Sequence, residues 1–462
     1  MIRCPFDLRA LERAVEKALS ITIQLATKDM NEGFKLENVQ RYEEPKPSTS
    51  FDFEDPYTYQ TFQNEFKERQ FDSWEEAHEV LGSIYPKVIG RVLRGEGSYI
   101  KKLDNGGVDV VKKLGASDFN INITCLKPPK RKFSDYLFQQ NGFGNYVCKL
   151  EACKPTDFNL WSGFQGKRTD QRSPGLELMK QFVLDSWAAG NEEYYNYIIS
   201  WFAGLITNTR GINMVALAMI AKQGTGKGFF LSFMKYLLRS VNVCEVAGIG
   251  PITQKHNTVM QNKRLVVINE MSSSKDEFKS NFDKIKTYIT DPVISIEPKG
   301  VNAYQIDNIS NFLLFTNHRD AIIVEESDRR YAVFEMSDVH RNDTNYFDML
   351  EEKCFNQEVA DAFYTYLLDF PAVPIRSIPD TELRREMINL SKSTPLKFLD
   401  AVKEEDLFDD ETEVNATVFY QKYVEWCRDN GERNTYTSTK FGTCLKGRLE
   451  KKKTRTGMMY ML

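Results

Sequence analysis

The run Ala221-Lys222-Gln223-Gly224-Thr225-Gly226-Lys227-Gly228 joins an apolar stretch at 214–221 to a helical pattern, FFLSFMKYLL. A strand, a glycine-rich loop and a helix in that order can curl backbone N–H groups around phosphates, and the helix dipole adds positive potential. Lys227 would then reach the β- and γ-phosphates of a nucleoside triphosphate. Ala221 replaces the first glycine of the GxxxxGK[ST] pattern, and Gly228 replaces the hydroxyl residue that binds Mg²⁺. A glycine turn that binds nothing is the plain alternative.

Downstream, Leu265-Val266-Val267-Ile268-Asn269-Glu270 reads as an apolar strand ending in an acid. Glu270 would polarise an attacking water or hold it through Mg²⁺. Asn269 stands where a second acid is usual. Gly228 and Asn269 both weaken direct ligation of the metal, so the expectation is Mg²⁺ held at Glu270 through water. A third strand at 311–315 ends in Thr316-Asn317, and Asn317 could hydrogen-bond the γ-phosphate or the water. Asp328-Arg329-Arg330 follows. An arginine there could reach a neighbouring subunit's triphosphate and stabilise transition-state charge; a surface salt bridge is the alternative. Asn317-His318-Arg319-Asp320 looks like a guanine-reading NKxD, but His318 replaces the stacking lysine, which disfavours a GTPase.

These residues need elements to hold them. The segment 213–340 alternates apolar strands (NMVALAMIA, CEVA, RLVVINE, ISNFLLFTN, RRYAVFEM) with helical stretches, the pattern of an α/β layer around a parallel sheet. Before it, 7–29 reads as an amphipathic helix with Leu8, Leu11, Val15, Leu19 and Ile23 on one stripe. An exposed Pro/Ser linker is expected at 43–50, an aromatic-rich helical region at 57–94, short strands over 98–165 and a helical block at 176–207. After it, 345–390 is helical, and about the last 70 residues read as a small helical unit ending in a β-ribbon.

Composition narrows the choices. The 462 residues are 41% apolar and 27% charged, which is globular material. No apolar run approaches the ~18 residues of a membrane helix, and the N-terminus has no secretory pattern, so a cytoplasmic protein without membrane contact is expected (host cytoplasm if viral). The eight cysteines have no CxxC spacing, and the four histidines no His-x-His pair. That speaks against zinc sites, disulfide frameworks and histidine-based nicking or nuclease sites. Net charge is −4, with seven acids and one base at 403–413 but six bases and one acid at 446–455. Local patches therefore decide whether nucleic acid binds.

In order and spacing, GTGKG, VVINE, the segment Ile296-Glu297-Pro298-Lys299-Gly300, LLFTN and the arginine pair resemble superfamily 3 helicases, in particular the phage, plasmid and poxvirus-type primase–helicases. Phe158-Asn159-Leu160-Trp161-Ser162-Gly163-Phe164 and the stretch YYNYIISWFAGL are similar to segments preceding the helicase module of that family. The resemblance covers about 150–462. It implies an AAA+ ring ATPase, a hexamer, with ATP between subunits. Gly224, Thr225, Gly226, Lys227, Gly228 and Asn269 would lie on the nucleotide and its Mg²⁺; Glu270, Asn317 and Arg329 or Arg330 would act in hydrolysis. Lys299 matches the basic residue of a hairpin that lines the ring's channel; an exposed turn lysine is its bland reading.

The C-terminal unit fits a winged helix, with helices at 395–402, 418–429 (begun by Thr417) and 439–449. A basic wing carrying Lys451, Lys452, Lys453 and Arg455 would contact phosphates; a solvated charged turn is the alternative. The paired acids and Ser-x-His of a primase–polymerase domain are not recognisable, His78 in Glu-Ala-His-Glu being the only histidine before the glycine loop.

The expected layout is an N-terminal adaptor or oligomerisation region of mixed α+β structure at 1–150, a helical lead-in at 151–208, the ATPase core at 209–345, a helical connector at 346–392 and a winged helix at 393–462. The function implied is an ATP-dependent helicase moving 3′ to 5′ on single-stranded or forked DNA during replication of a viral, phage or mobile genome, with a primase or polymerase as a further partner. The alternatives are an ATP-binding assembly or loading factor and a winged-helix initiator that does not unwind.

Overall fold

The computed structural model describes residues 51–66, 70–71, 74–92, 98–111, 122–123, 145–151, 153–209, 211–270, 275–299, 303–319, 321–405, 407–408, 411–455 and 457–462. The helix expected at 7–29 and the whole of the linker at 43–50 lie outside them. Helices α1 (Tyr59–Phe66) and α2 (Trp74–Ile84) come first. The region expected to be helical to 94 ends instead in a strand, β1 (Ile89–Val92), followed by β2 (Ser98–Lys102) and β3 (Val108–Val111) in an antiparallel sheet. Val88, Ile89 and Val92 are β-branched and buried, which favours the strand. A Cβ at Gly90 would come within 2.8 Å of the Phe158 ring, so glycine lets that ring approach. Short parallel strands β4 (Asn145–Val147) and β5 (Asp157–Asn159) follow.

Helix α3 (Pro174–Phe182) runs into a π-turn at Val183–Trp187. The chain breaks where Ala189 and Gly190 take φ of 51° and 77°, and α4 (Glu192–Thr207) starts, capped by the Asn191 side chain on the Tyr194 N–H. Nine of its residues are buried, so it is a core helix rather than a surface one.

Five strands make the central sheet: β6 (Ala216–Ile220), β7 (Val243–Ala247), β8 (Leu265–Asn269), β11 (Asn311–Thr316) and β12 (Tyr331–Glu335). Helix α5 (Lys227–Leu238) follows β6; α6 (Lys275–Thr290) and an antiparallel hairpin, β9 (Val293–Ile296) and β10 (Tyr304–Asp307), lie between β8 and β11 in the chain. The sheet order is β12-β6-β11-β8-β7, and every pairing is parallel. β6 and β11 are buried at every position, as strands covered on both faces must be.

Arg264, directly before β8, is fully buried. Its guanidinium donates to the carbonyls of Leu205 (2.7 Å), Gly211 (2.8 Å), Ile309 (2.9 Å), Gly204 (3.0 Å) and Asn208 (2.9 Å). Three of these belong to the C-terminal end of α4, where unpaired carbonyls and the helix dipole favour a cation. One side chain thus ties α4 to the amino-terminal edge of the sheet.

Beyond the sheet, α7 (Thr344–Cys354), α8 (Gln357–Asp369) and α9 (Glu382–Ser391) form the expected helical region, broken at 370–381. The C-terminal unit is α10 (Thr394–Glu405), β13 (Glu413–Asn415), α11 (Ala416–Asp429), α12 (Ser438–Leu445), β14 (Glu450–Thr454) and β15 (Gly457–Met461). Its strands pair antiparallel in the order β13-β15-β14 over a core of Phe398, Phe419, Tyr423, Phe441 and Tyr460. Two expected boundaries shift. Asn415, not Thr417, caps α11, its side chain accepting from the Thr417 N–H. The last helix stops at Leu445, before a turn through Gly447 at φ 81°.

Candidate functional site

The parallel sheet brings three of the expected residues to one edge. β11 lies between β6 and β8, so the loop after β6, Glu270 after β8 and Asn317 after β11 are all at the carboxyl ends of adjacent strands. Open α/β sheets bind ligands at that edge.

The loop has a phosphate-cradle conformation. Gly224 and Gly226 take φ of 80° and 88°, values that cost an L-residue about 1–2 kcal/mol. A Cβ at Gly224 would fall 2.0 Å from Asn342 Oδ1, and one at Gly226 2.6 Å from Phe347 Cε1. Both glycines are therefore required twice, by backbone and by neighbours. Gly228 differs, since a Cβ there meets nothing within 4 Å. Thr225 is buried and its Oγ1 donates to the Lys222 carbonyl at 3.0 Å, closing the loop on itself. No side chain caps the start of α5, so its first N–H groups remain open to an anion. Lys227 is half-buried, its Nζ 6.0 Å from the centroid of Phe315 on β11, and it has no ion pair among the described residues.

At the end of β8 the two residues behave differently. Asn269 Nδ2 donates to Glu245 Oε1 of β7 at 2.5 Å, and Glu245 also pairs with Lys235 of α5. Glu270 is exposed, carries no partner among the described residues, and has φ 53°. A glutamate held left-handed is uncommon, and such strain collects at functional positions. Asn317 is exposed at the tip of β11, beside a turn in which Thr316 Oγ1 accepts from the His318 N–H at 3.0 Å.

The arginine pair is at the other edge. Arg330 precedes β12, and its carbonyl accepts from Ala216, the first residue of β6, at 2.7 Å. The glycine loop begins where β6 ends, five residues on, which at ~3.3 Å per residue is roughly 16 Å away. The arginine pair is therefore placed at the amino ends of these strands, a strand's length from its own chain's glycine loop. The two are not equivalent. Arg330 is tied to the buried carboxylate of Asp328, through its backbone N–H at 2.9 Å and its guanidinium at 3.8 Å, whereas Arg329 is exposed and unpaired among the described residues.

Lys299 is exposed in the loop of the β9–β10 hairpin. Ile294 and Ile296 anchor one face of the hairpin in the core. Buried Asn257 braces it, accepting from the Glu297 N–H (2.9 Å) and donating to the Ser295 carbonyl (2.9 Å) and Tyr288 hydroxyl (3.1 Å). Far along the chain, Lys451, Lys452, Lys453 and Arg455 are exposed on and just after β14, and Lys451 Nζ stands 5.0 Å over the Tyr460 ring.

Sequence reasoning passed over a polar strap at 338–343. Lys222 pairs with Asp338 at 2.5 Å, Arg341 Nε donates to the Gln223 carbonyl at 3.2 Å, and the Asn342 N–H donates to the Gly224 carbonyl at 2.9 Å. The strap holds the glycine loop from outside. It has no apolar periodicity, so nothing in the sequence marked it, although Asn342 is left-handed there (φ 59°).

Together these features define a parallel α/β module with a glycine-rich strand–loop–helix at the carboxyl edge of its sheet, followed by a small helix-and-ribbon unit. Residues 219–330 match the model of a family described as "Family of unknown function (DUF5906)", and 396–461 match "Poxvirus D5 protein-like". The chain is 24% identical over 236 residues to the DNA primase-polymerase of Nitratiruptor phage NrS-1; the match takes in 50% of this chain and 30% of that protein. Its fold is similar to that of the NrS-1 C-terminal region. One apo structure of that region has a TM-score of 0.58 at 17% identity, covering 81% of this chain and 95% of that one; another has a TM-score of 0.57 at 18% identity, covering 79% and 93%. The chain thus resembles phage- and poxvirus-type primase-related proteins.

Proposed function

We propose that this chain is an ATP-driven translocase of the superfamily 3 helicase type that acts in viral or phage DNA replication and works as a ring, a hexamer by family resemblance. The observation that carries the reading is the split of one charged set between two sheet edges. Lys227, Glu270 and Asn317 share the carboxyl edge, while Arg329 stands at the opposite edge, a strand's length from its own glycine loop. An arginine so placed acts on another copy's triphosphate, and a closed ring supplies that copy to every subunit. The strand order, with the glycine-loop strand between the last strand and the one carrying Asn317, supports the AAA+ assignment.

In this reading the N–H groups of the glycine loop and the start of α5 bind the phosphates and Lys227 neutralises the outer ones. Glu270 accepts a proton from, or orients, the attacking water, and Asn317 fixes that water's second hydrogen bond. Glu270 would hold Mg²⁺ through water, and the ion would offset phosphate charge; the donors fit it only sparsely, since Gly228 has no hydroxyl and Asn269 is engaged by Glu245. Lys299, on a braced hairpin, grips DNA phosphates without reading bases. The C-terminal unit has the helix order and β-ribbon of a winged helix, and Lys451, Lys452, Lys453 and Arg455 form its basic wing. The relative described as a primase-polymerase supports a place in replication.

The test is ATP hydrolysis and forked-duplex unwinding by the full chain against Lys227→Ala. Loss of both supports the motor, and identical activities in the two proteins would overturn it. A second reading, an ATP-binding loading factor that does not unwind, is favoured by the Asn269–Glu245 bond and the bare Gly228. It predicts no duplex opening with either ATP or a non-hydrolysable analogue, where the motor predicts opening with ATP alone.

A further inference from the structure

A cavity of about 670 Å³ opens beside the hairpin that carries Lys299. Tyr146 of β4, Tyr304 of β10, Gln261, Asn262, Lys263 and Pro298 help to line it, and none of them belongs to the glycine loop or to the strand ends described above. Its volume is that of a small-ligand site, about 300–1,000 Å³. The lining mixes two aromatic rings with amide and hydroxyl groups, the apolar side chains of Val108, Val110 and Val259, and one carboxylate, that of exposed Asp109. Tyr304 Oη donates to Gln261 Oε1 at 3.0 Å, which fixes that ring, and burial raises the pKa of both phenols, so both stay neutral. Burial lowers the pKa of Lys263, and its ammonium is turned aside to the Val241 carbonyl at 2.6 Å, so no strong charge is aimed at the interior from that side. Aromatic faces with neutral amide donors and acceptors suit a planar heterocycle that has polar edges. Pro298, on the cavity wall, is adjacent in sequence to exposed Lys299, which suits an anion held just outside.

We propose that the cavity takes one unstacked base of a single DNA strand whose phosphates run past Lys299. The inference rests on the reading above that the hairpin grips DNA. Each subunit would then hold one base while its lysine holds the backbone, a grip that tolerates sequence because every base has a stacking face.

The experiment measures binding of the full chain, by fluorescence anisotropy, to a labelled oligo-dT and to an abasic strand with the same number of phosphates. The natural protein should prefer oligo-dT by on the order of tenfold. Tyr146→Leu and Tyr304→Leu should erase that preference while keeping the abasic affinity, and Tyr304→Phe, which keeps the ring, should retain it. Thr258→Trp, at an exposed lining position, narrows the cavity without removing a packed ring and should weaken the preference too, which guards against a leucine variant that fails to fold. Equal affinity of the natural protein for both strands, or an intact preference in Thr258→Trp and the leucine variants, would overturn the base site and leave the lysine grip standing. No binding to either strand would instead overturn the DNA-gripping reading, and the base site with it.

Discussion

Asn269 and Glu245 are joined across adjacent strands by a 2.5 Å hydrogen bond, so the amide at the end of β8 is engaged by β7 and not free for a ligand. The pairing explains why an amide stands where a second acid is usual. Asn269→Asp would place two carboxylates in contact, with only Lys235 to offset them. Like charges that close raise a carboxyl pKa. A folded-state pKa above the unfolded value means stability is lost as pH rises through it. Asn269→Asp should therefore match the natural protein near pH 4 and be less stable by about 1 kcal/mol at pH 7, a modest figure because Glu245 is one-third exposed. Adding Glu245→Gln should remove the loss. Thermal melts across pH check both.

Gly228 is the other departure from the common loop, and open space surrounds it. Gly228→Ser adds a hydroxyl in the first turn of α5 without a clash, and serine is a better helix former than glycine by a few tenths of a kcal/mol. We expect tighter Mg²⁺-dependent ATP binding, by severalfold, and no loss of stability. Titration of a fluorescent ATP analogue with and without Mg²⁺ gives the answer, and an unchanged Mg²⁺ dependence would place this position away from the metal.

Gly224 has no such freedom. Gly224→Ala forces an L-residue to φ 80° and drives its Cβ into Asn342. The strain alone is about 1–2 kcal/mol. The variant should melt lower and lose nucleotide binding, and Asn342→Gly in the same chain should recover part of the melting temperature because it removes the clash but not the strain. Asn342 is itself left-handed, so glycine fits there.

The glycine loop, the acid-ended strand and the polar strand tip were legible in the sequence because each is a short local pattern on a buried apolar strand. The basic hairpin was legible only through its place between two such strands. Pairing was not legible. That β12 joins β6 rather than β8 or β7 is decided by contacts between residues more than a hundred positions apart, such as Tyr331 with Ala216. The role of Arg264 was not legible either, because its five carbonyl partners, at 204–211 and 309, are all more than forty positions away in the chain. The strap over the glycine loop was invisible for the opposite reason, being polar, aperiodic and without helix or strand of its own.

Arg264 makes the larger prediction about stability. Five donors satisfied in a buried site leave several carbonyls unpaired when the guanidinium is removed, and each costs about 1–3 kcal/mol. Arg264→Met should destabilise the fold by about 3–5 kcal/mol. Arg264→Lys should recover little, since one ammonium cannot span the separated carbonyls of Leu205, Gly204 and Ile309. Denaturant unfolding reads both values.

Arg329 and Arg330 separate by their neighbours. Arg330 is held by buried Asp328, which also has Lys286 at 3.8 Å, so Arg330→Ala strips a partner from a buried carboxylate and should lower stability by about 1–3 kcal/mol. Arg329→Ala removes an exposed, unpaired guanidinium and should leave the melting temperature within a degree or so, yet cut ATP hydrolysis by on the order of a hundredfold or more, as loss of a charge-stabilising arginine does. If the arginine serves a neighbouring copy, Lys227→Ala and Arg329→Ala chains are each inactive alone but complementary. A mixed ring contains some interfaces where an intact Lys227 meets an intact Arg329, and hydrolysis should reappear in proportion to those interfaces, rising to a maximum near an equal mixture. Activity that stays at the level of the separate variants at every ratio would mean that the two residues serve no common site.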